Sequence, residues 1–138
     1  MLGGGDLLEV YKGEYGNRSN IDFRGSVNNV NYYLKAGDAY VSTSKSEGLP
    51  NGVLEAMASG LPVILSDIEQ HLEIYNIDKR IGFVYHQGNA EELGIKMNDI
   101  ISSAEEMGKV AYQIAHQYFS AVGMSKQYQE LYKQIDGQ

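Results

Sequence analysis

Residues 46–67 read SEGLPNGVLEAMASGLPVILSD, and this stretch decides the fold of the 138-residue chain. Two glutamates, Glu47 and Glu55, are separated by seven residues that include one proline and two glycines. Residues 51–60 have helical spacing and end on a glycine, which favours a helix that stops there. Residues 62–66, PVILS, form the most strand-like run of the sequence. The stretch therefore predicts a loop, a helix and a buried strand, in that order.

Strand and helix patterns alternate on both sides of this stretch. Strands are predicted in the run IDFRGSV (residues 21–27), where the strand ends at Gly25, and at residues 39–44 (AYVSTS) and 81–86 (IGFVYH). A short helix is predicted at residues 29–37. Gly37 ends that helix. Strands that alternate with helices are typical of βαβ units in a mostly parallel sheet.

From residue 89 onward the apolar spacing is helical only. Asn89 with Glu92, and Ser103 with Glu106, fit the capping box and mark two helix starts. The predicted fold class is therefore α/β, a Rossmann-like parallel sheet with flanking helices that ends in a helical C-terminal segment.

Composition excludes several classes of protein. The net charge is −7 and the isoelectric point is about 4.8, whereas a nucleic-acid surface needs a basic footprint. The chain has no cysteine, which fits a cytoplasmic protein. No apolar run approaches the roughly 20 residues of a membrane span. The histidines do not have metal-ligand spacing.

The chemistry of the glutamate pair points to a ligand with hydroxyl groups at both ends. Ligands of open α/β sheets bind at the carboxyl ends of strands, and Glu47 follows such an end. Glu55 lies about one turn into the next helix, whose start near Asn51 is expected to offer unpaired N–H groups to a phosphate. Carboxylates accept hydrogen bonds from hydroxyl groups, so a nucleoside diphosphate sugar suits the whole arrangement. The alternative is that Glu55 is a solvated helix residue and Glu47 a favourable charge at a helix start.

The same 22 residues resemble the donor-binding motif of the retaining glycosyltransferases of the GT-B fold, group 1 or family four. That motif has two glutamates with seven residues between them, followed by an Ala-Met-Ala-like helix and a Gly-Leu-Pro-Val strand. The flanking segments resemble the family in the right order and extend the likeness over nearly the whole chain. They are residues 2–7, 21–27, 32–44, 66–74, 81–93 and 118–132.

The resemblance implies a role for nine residues, and it implies neither a metal ion nor another cofactor. The implied contacts are Glu47, Gly48 and Leu49 with the donor sugar, Pro50, Asn51 and Gly4 with the diphosphate, Glu55 with the ribose, and Val27 and Arg24 with the base. His71 falls in the predicted loop after residues 62–66, near the expected site, and is weighed as a further donor contact.

The resemblance also implies parts that this sequence lacks. Family members have an amino-terminal domain that binds the acceptor, and an Arg and a Lys that neutralise the diphosphate. Residues 1–138 are therefore expected to form one nucleotide-sugar-binding domain that is incomplete at its amino terminus and inactive in isolation. Without its first strands the sheet would have an open edge, and such an edge could pair with another chain.

The expected function is transfer of a sugar from a nucleotide-diphosphate sugar, such as a UDP-sugar, to a saccharide or lipid-linked acceptor. This fits polysaccharide, capsule or glycolipid biosynthesis by a cytoplasmic protein that is peripheral to the inner face of the membrane when full length. Two alternatives stay open, a nucleotide-sugar epimerase half-domain and a non-catalytic module that binds a nucleotide or a partner. Nucleic acid is not an expected partner.

Overall fold

A computed structural model describes residues 1–121 and 123–124. The chain divides into two compact units, Met1–Tyr33 and a second unit that begins at Leu34. The single domain expected over residues 1–138 stays a prediction. Among the described residues, no helix is long and apolar enough to cross a membrane.

The first unit contains one helix that the sequence analysis did not predict, α1 (Leu8–Tyr15). The strand predicted to run from residue 21 to Gly25 is wrong, because that segment forms only an isolated parallel bridge between Leu2 and Gly25. Gly25 has a φ of +65°, which interrupts the extended backbone that a strand needs. One bridge gives no ladder to hold the remaining residues extended.

The predicted short helix is confirmed as α2 (Val30–Ala36). It has one fully buried side chain, that of Leu34, and the N–H of Gly37 donates to the Leu34 carbonyl at 3.4 Å where the helix ends.

Three parallel strands form the sheet of the second unit, in the order β1 (Tyr40–Ser42), β2 (Val63–Ser66) and β3 (Gly82–Tyr85). The predicted strands at residues 39–44, 62–66 and 81–86 are therefore confirmed with shorter bounds. Ser42 lies opposite Leu65, and Ser66 lies opposite Tyr85, so the three strands end at one edge. Within the described residues β1 pairs with β2 alone, which leaves its other edge without a ladder.

Two helices connect the strands. The predicted crossover helix is confirmed as α3 (Asn51–Ala58), and Gly60, with φ of +84°, follows its end. Residues 66–74 were expected to be a loop, but Glu69–Tyr75 form helix α4. Ile74 of α4 is buried in the core, and tertiary burial of this kind supports a helix of only two turns.

Apolar side chains cover both faces of the central strand, which explains why residues 62–66 read as one continuous apolar run. Ile64 packs with Tyr85 and Ile100 on one face. The larger cluster lies on the other face, and its buried members are Val53, Met57, Val63, Leu65, Ile74, Ile81, Ala111, Ile114 and Ala115.

The C-terminal helices are α5 (Ala90–Asp99) and α6 (Ala104–Ile114), joined by a 3₁₀ turn and followed by a π-helical turn at Ala115–Phe119. Both predicted helix starts are confirmed. Asn89 caps α5 by accepting from the Glu92 N–H at 3.0 Å, but the Ser103 side chain makes no capping bond to α6. Most of the last predicted helix, residues 118–132, lies outside the described residues.

Candidate functional site

The carboxyl edge of the sheet carries a cluster of polar side chains around Glu47. The loop after β1 brings Ser44 and Glu47 to this edge, and the Ser44 hydroxyl donates to Oε1 of Glu47. Ser42, the last residue of β1, donates in turn to the Ser44 hydroxyl at 3.3 Å. Oε2 of Glu47 makes no hydrogen bond to any described residue, and the side chain is 23 % exposed. One oxygen of this carboxylate is therefore held by the protein and the other is free to accept.

His71 of α4 lies beneath Glu47 and is fully buried. Its Nδ1 is 3.0 Å from the carbonyl oxygen and 3.1 Å from the hydroxyl of Ser66, the last residue of β2. Because that carbonyl can only accept, Nδ1 carries the proton. Nε2 makes no hydrogen bond and lies 3.7 Å from Oε1 of Glu47.

The Ser44 carbonyl connects the ends of all three strands. It accepts from the Ser66 hydroxyl at 2.7 Å and from Nε2 of Gln87 at 3.3 Å, where Gln87 follows β3. The N–H of Gln87 also donates to Asp67 at 2.8 Å. These bonds join loops that are up to 43 residues apart in sequence, so the edge is a cross-linked platform.

Tyr85 of β3 contributes a buried hydrogen bond to the same edge of the sheet. It is buried and its hydroxyl donates to the Ser42 carbonyl at 3.5 Å. Burial, and to a lesser degree the charge of Asp67, raises the pKa of the Tyr85 phenol.

The phenol of Tyr40 in β1 lies close enough to Glu47 and Glu55 for both carboxylates to affect its pKa. Burial raises the pKa of its phenol, and the negative charges of Glu47 and then Glu55 raise the pKa further. Both carboxylates therefore act on the same phenol. The Tyr40 hydroxyl also lies against the start of α3, where a Cβ on Gly52 would be 2.5 Å from it. Only glycine leaves room for this approach.

The start of α3 has unpaired backbone donors, although not all of those expected. The Asn51 N–H, a predicted phosphate donor, donates to the Leu49 carbonyl at 2.8 Å. The N–H groups of Gly48, Leu49 and Gly52 have no acceptor among the described residues. Glu55 lies one turn further along α3, exposed, and its carboxylate makes no hydrogen bond within the described part of the chain.

The predicted diphosphate contact Gly4 and base contacts Arg24 and Val27 lie in the first unit. A Cβ on Gly4 would be 2.7 Å from the Ser26 hydroxyl, which places Gly4 beside the turn that Arg24 and Val27 flank. Arg24 is paired with Asp22 at 2.5 Å and half exposed. Gly4 also lines an open cavity of about 450 Å³ within this unit.

Within the described residues, neither of the other two histidines makes a hydrogen bond to Glu47 or Glu55. His86 and Glu92 form an exposed pair at 2.9 Å, which raises the pKa of His86 through the side-chain hydrogen bond and lowers that of Glu92. The His116 ring lies 4.1 Å from that of Tyr112. Among residues 1–121 and 123–124, no three His, Asp or Glu side chains form a group that could hold a metal ion. The prediction that no cofactor is needed stays a prediction.

Sequence reasoning missed Tyr40, Ser44, Ser66 and Gln87. The two serines had a signal, because Ser44 ends the predicted strand at residues 39–44 and Ser66 ends the one at residues 62–66, where a hydroxyl can bond to its neighbours. Tyr40 and Gln87 had none, since their partners come from strands and helices that only the fold brings together.

Comparison with known proteins assigns the family. The model of the glycosyl transferases group 1 family matches residues 2–117, most of the chain. The chain belongs to this family. Its parallel three-stranded sheet with flanking helices matches GT-B glycosyltransferase structures.

Two curated relatives come from Escherichia coli. The O-antigen biosynthesis glycosyltransferase WbnH is 29 % identical over 135 residues, which are 98 % of this chain and 37 % of WbnH. A UDP-Gal:alpha-D-GlcNAc-diphosphoundecaprenol alpha-1,3-galactosyltransferase is 38 % identical over 72 residues, 49 % of this chain and 19 % of that enzyme. The chain thus spans less than half the length of the relatives it matches.

A solved structure extends the likeness of the fold. The crystal structure of Anabaena HepE in complex with UDP matches with a TM-score of 0.79 at 22 % identity, over 96 % of this chain and 40 % of HepE.

Proposed function

We propose that this chain is the donor-binding part of a retaining glycosyltransferase that uses a nucleotide-diphosphate sugar. The observation that carries the proposal is the pair of acceptors on either side of the α3 start. Oε2 of Glu47 is unpartnered at the sheet edge, and the Glu55 carboxylate is unpartnered one turn along the helix. Both raise the pKa of the same Tyr40 phenol.

The parts of the ligand follow from the chemistry of these groups. The sugar would donate a hydroxyl hydrogen bond to Glu47, and the ribose diol would donate to Glu55. The diphosphate would lie between them at the start of α3, where the N–H groups of Gly48 and Gly52 and the helix dipole favour negative charge. Pro50 occupies the N-cap position of α3 without a side-chain capping bond, and the Leu49 side chain is 66 % exposed beside it.

In catalysis this part would bind and orient the donor. Departure of the diphosphate leaves an oxocarbenium-like sugar, and donors at the helix start stabilise the charge that develops on the leaving group. The acceptor, and any further cationic groups, would be bound by parts of the enzyme outside residues 1–138. We therefore expect no sugar transfer by this polypeptide alone, which a turnover assay with UDP-sugar and saccharide acceptors checks.

A UDP-sugar is the first donor to test, because one relative is named for UDP-Gal and HepE was solved with UDP. The O-antigen relatives favour a saccharide or lipid-linked acceptor in surface polysaccharide synthesis. We place such a full-length enzyme in the cytoplasm, at the inner face of the membrane. The unpaired edge of β1 would be covered by another part of the enzyme or by a second chain.

Calorimetry with UDP tests the proposal. We expect Glu55→Ala to weaken UDP binding by about 10²- to 10⁴-fold, the loss of two charge-assisted hydrogen bonds to a diol. Glu91→Ala is the matched control, because Glu91 is also an exposed glutamate near a helix start and has no role in the site.

Two results would count against the donor site. If wild-type protein binds neither UDP nor GDP, residues 1–138 do not form it. If Glu55→Ala binds UDP as tightly as Glu91→Ala does, the ribose contact is wrong and a non-catalytic module becomes the better interpretation.

A further inference from the structure

His71 is a fully buried histidine whose two nitrogens have different surroundings. Nδ1 is satisfied by Ser66, whereas Nε2 is buried without a hydrogen bond. A buried polar atom without a partner destabilises the folded state, and an apolar residue would avoid this cost. Nε2 faces Oε1 of Glu47, so the function of a histidine at position 71 is sought in its interaction with that atom.

A 180° rotation of the His71 ring would break the hydrogen bond from Nδ1 to the Ser66 carbonyl. The Ser66 hydroxyl gives its hydrogen to the Ser44 carbonyl, so both Ser66 atoms near Nδ1 are acceptors. Nδ1 must carry a proton to satisfy them. It follows that Nε2, and not Nδ1, is the nitrogen available to Glu47.

We propose that His71 is a positioning residue for Glu47, which its Nε2 holds by Oε1 so that Oε2 faces the donor sugar. The 3.7 Å separation needs to shorten by about 0.8 Å to reach an N–H···O bond. Because Nδ1 already carries a proton, this bond requires a second ring proton, so the form of His71 that holds Glu47 is the imidazolium, in which both nitrogens donate. The Ser44 hydroxyl approaches the same Oε1 atom, so the two partners together fix one oxygen and leave the other outward. Since Nε2 has no access to solvent, His71 acts through Glu47 and does not touch the ligand.

This inference rests on the proposed function for its binding readout, and two amide variants separate a positioning role from a merely structural one. The His71→Asn side chain places an amide donor near Nδ1 but nothing at Nε2, and His71→Gln places its amide near Nε2. We expect His71→Asn to leave UDP affinity within about twofold of wild type and to weaken UDP-galactose or UDP-glucose binding about tenfold. His71→Gln is expected to recover most of that loss. His116→Asn, at an exposed position away from the sheet edge, is the control.

A double-mutant cycle makes the test specific. If His71 acts through Glu47, the His71→Asn effect on UDP-sugar binding disappears in a Glu47→Gln background. An effect that persists there, or a His71→Asn protein that binds both ligands like wild type, overturns the proposal while the donor site itself stands.

NMR of the wild-type ring gives a readout that does not depend on stable variants. The ¹⁵N resonance of His71 Nε2 is expected to shift on Glu47→Gln substitution and on addition of UDP-sugar, and to stay unchanged with UDP. If UDP and UDP-sugar both fail to bind, the proposed function fails, and the Glu47→Gln spectrum still decides the contact. An unchanged Nε2 resonance in that spectrum overturns the positioning role.

Discussion

Glu47 and Glu55, the two proposed donor contacts, lie in regions that the fold preorganises to different degrees. Glu47 follows a strand, and one of its oxygens is already held by Ser44 over a buried His71. Glu55 projects from the exposed side of α3 and makes no side-chain hydrogen bond within the described residues. Ordering a side chain on binding costs about 0.5–1.5 kcal/mol. The Glu55 side chain would have to be ordered when a ligand binds, whereas the Glu47 side chain is already largely ordered in the folded protein.

The difference has a physical origin in the two kinds of secondary structure. The ends of parallel strands converge at one edge, so residues from three loops can bond to one another there. A helix satisfies its own backbone groups, and its exposed side chains have few partners. Substitutions can therefore be designed that affect one region and spare the other.

Among the substitutions that compare the supports of the two regions, Ser66→Ala has the largest expected effect, and that effect is on stability. The Ser66 hydroxyl is fully buried and its bond to the Ser44 carbonyl joins β2 to the loop after β1, so its loss leaves this half-buried carbonyl with only the Gln87 donor. We expect a decrease of about 1–3 kcal/mol in the free energy of unfolding, measured by urea denaturation. Ser59→Ala is the matched control in the α3 region, because the Ser59 hydroxyl also donates to a carbonyl, at 2.9 Å, but near the surface. Equal losses in the two variants would remove the distinction between the regions.

A smaller effect is expected on binding, from Ser44→Ala. This change removes the hydrogen bond from the Ser44 hydroxyl to Oε1 of Glu47, so that Glu47, like Glu55, is no longer held by that kind of bond. UDP-sugar binding should weaken about 2- to 10-fold, the cost of ordering one side chain, with UDP binding unchanged. Ser46→Ala, at an exposed position in the same loop, is the comparison in the same calorimetric titration. Unaltered affinity for the UDP-sugar would mean that Glu47 is not preorganised by Ser44.

The smallest effect is on the pKa of Tyr40, which reports on both regions at once. Burial and the two carboxylates disfavour the phenolate and raise this pKa above its ordinary value of 10.0. We expect Glu47→Gln to lower the Tyr40 pKa, and Glu55→Gln to lower it less, in an NMR titration of the phenol carbon. The pKa of Tyr85, raised by burial and Asp67, is the internal control and should not move.

The sign of the associated stability change follows from linkage. The folded chain keeps the Tyr40 proton above pH 10, where the unfolded chain loses it. The contribution of Tyr40 is therefore complete below pH 10 and is lost as the pH rises through the folded-state pKa. Alkaline unfolding that is insensitive to Glu47→Gln would show that this carboxylate does not act on the phenol.

The sequence predicted most of the second unit and little of the first. The runs that became β1, α3, β2 and β3 have apolar spacing that matches their burial, so local pattern and tertiary packing agree. Residues 21–27 have the same appearance but meet only one bridge at Gly25, and a strand does not form without a ladder. Helix α4 was missed because its two turns depend on burial of Ile74 and His71, which sequence alone does not reveal.

The candidate site divides in the same way. The two glutamates and the glycines between them stand close together in the sequence, so their spacing was readable. The residues that hold the Glu47 loop in place could not be predicted in the same way. They belong to β2, α4 and the loop after β3, and they lie 19 to 43 residues from Ser44 or Glu47 along the chain. His71 was weighed as a further contact to the donor, and the structure places it fully buried.

The Ser44 carbonyl has a consequence for how related enzymes can diverge. Every amino acid supplies a carbonyl at this position, so the bonds from Ser66 and Gln87 survive replacement of the Ser44 side chain. The bonds that tie the strand ends together and the bond to Glu47 are thus made by different atoms of one residue. If Glu47 contacts the donor sugar as proposed, a related enzyme that changes position 44 alters that contact while its strand ends stay tied together.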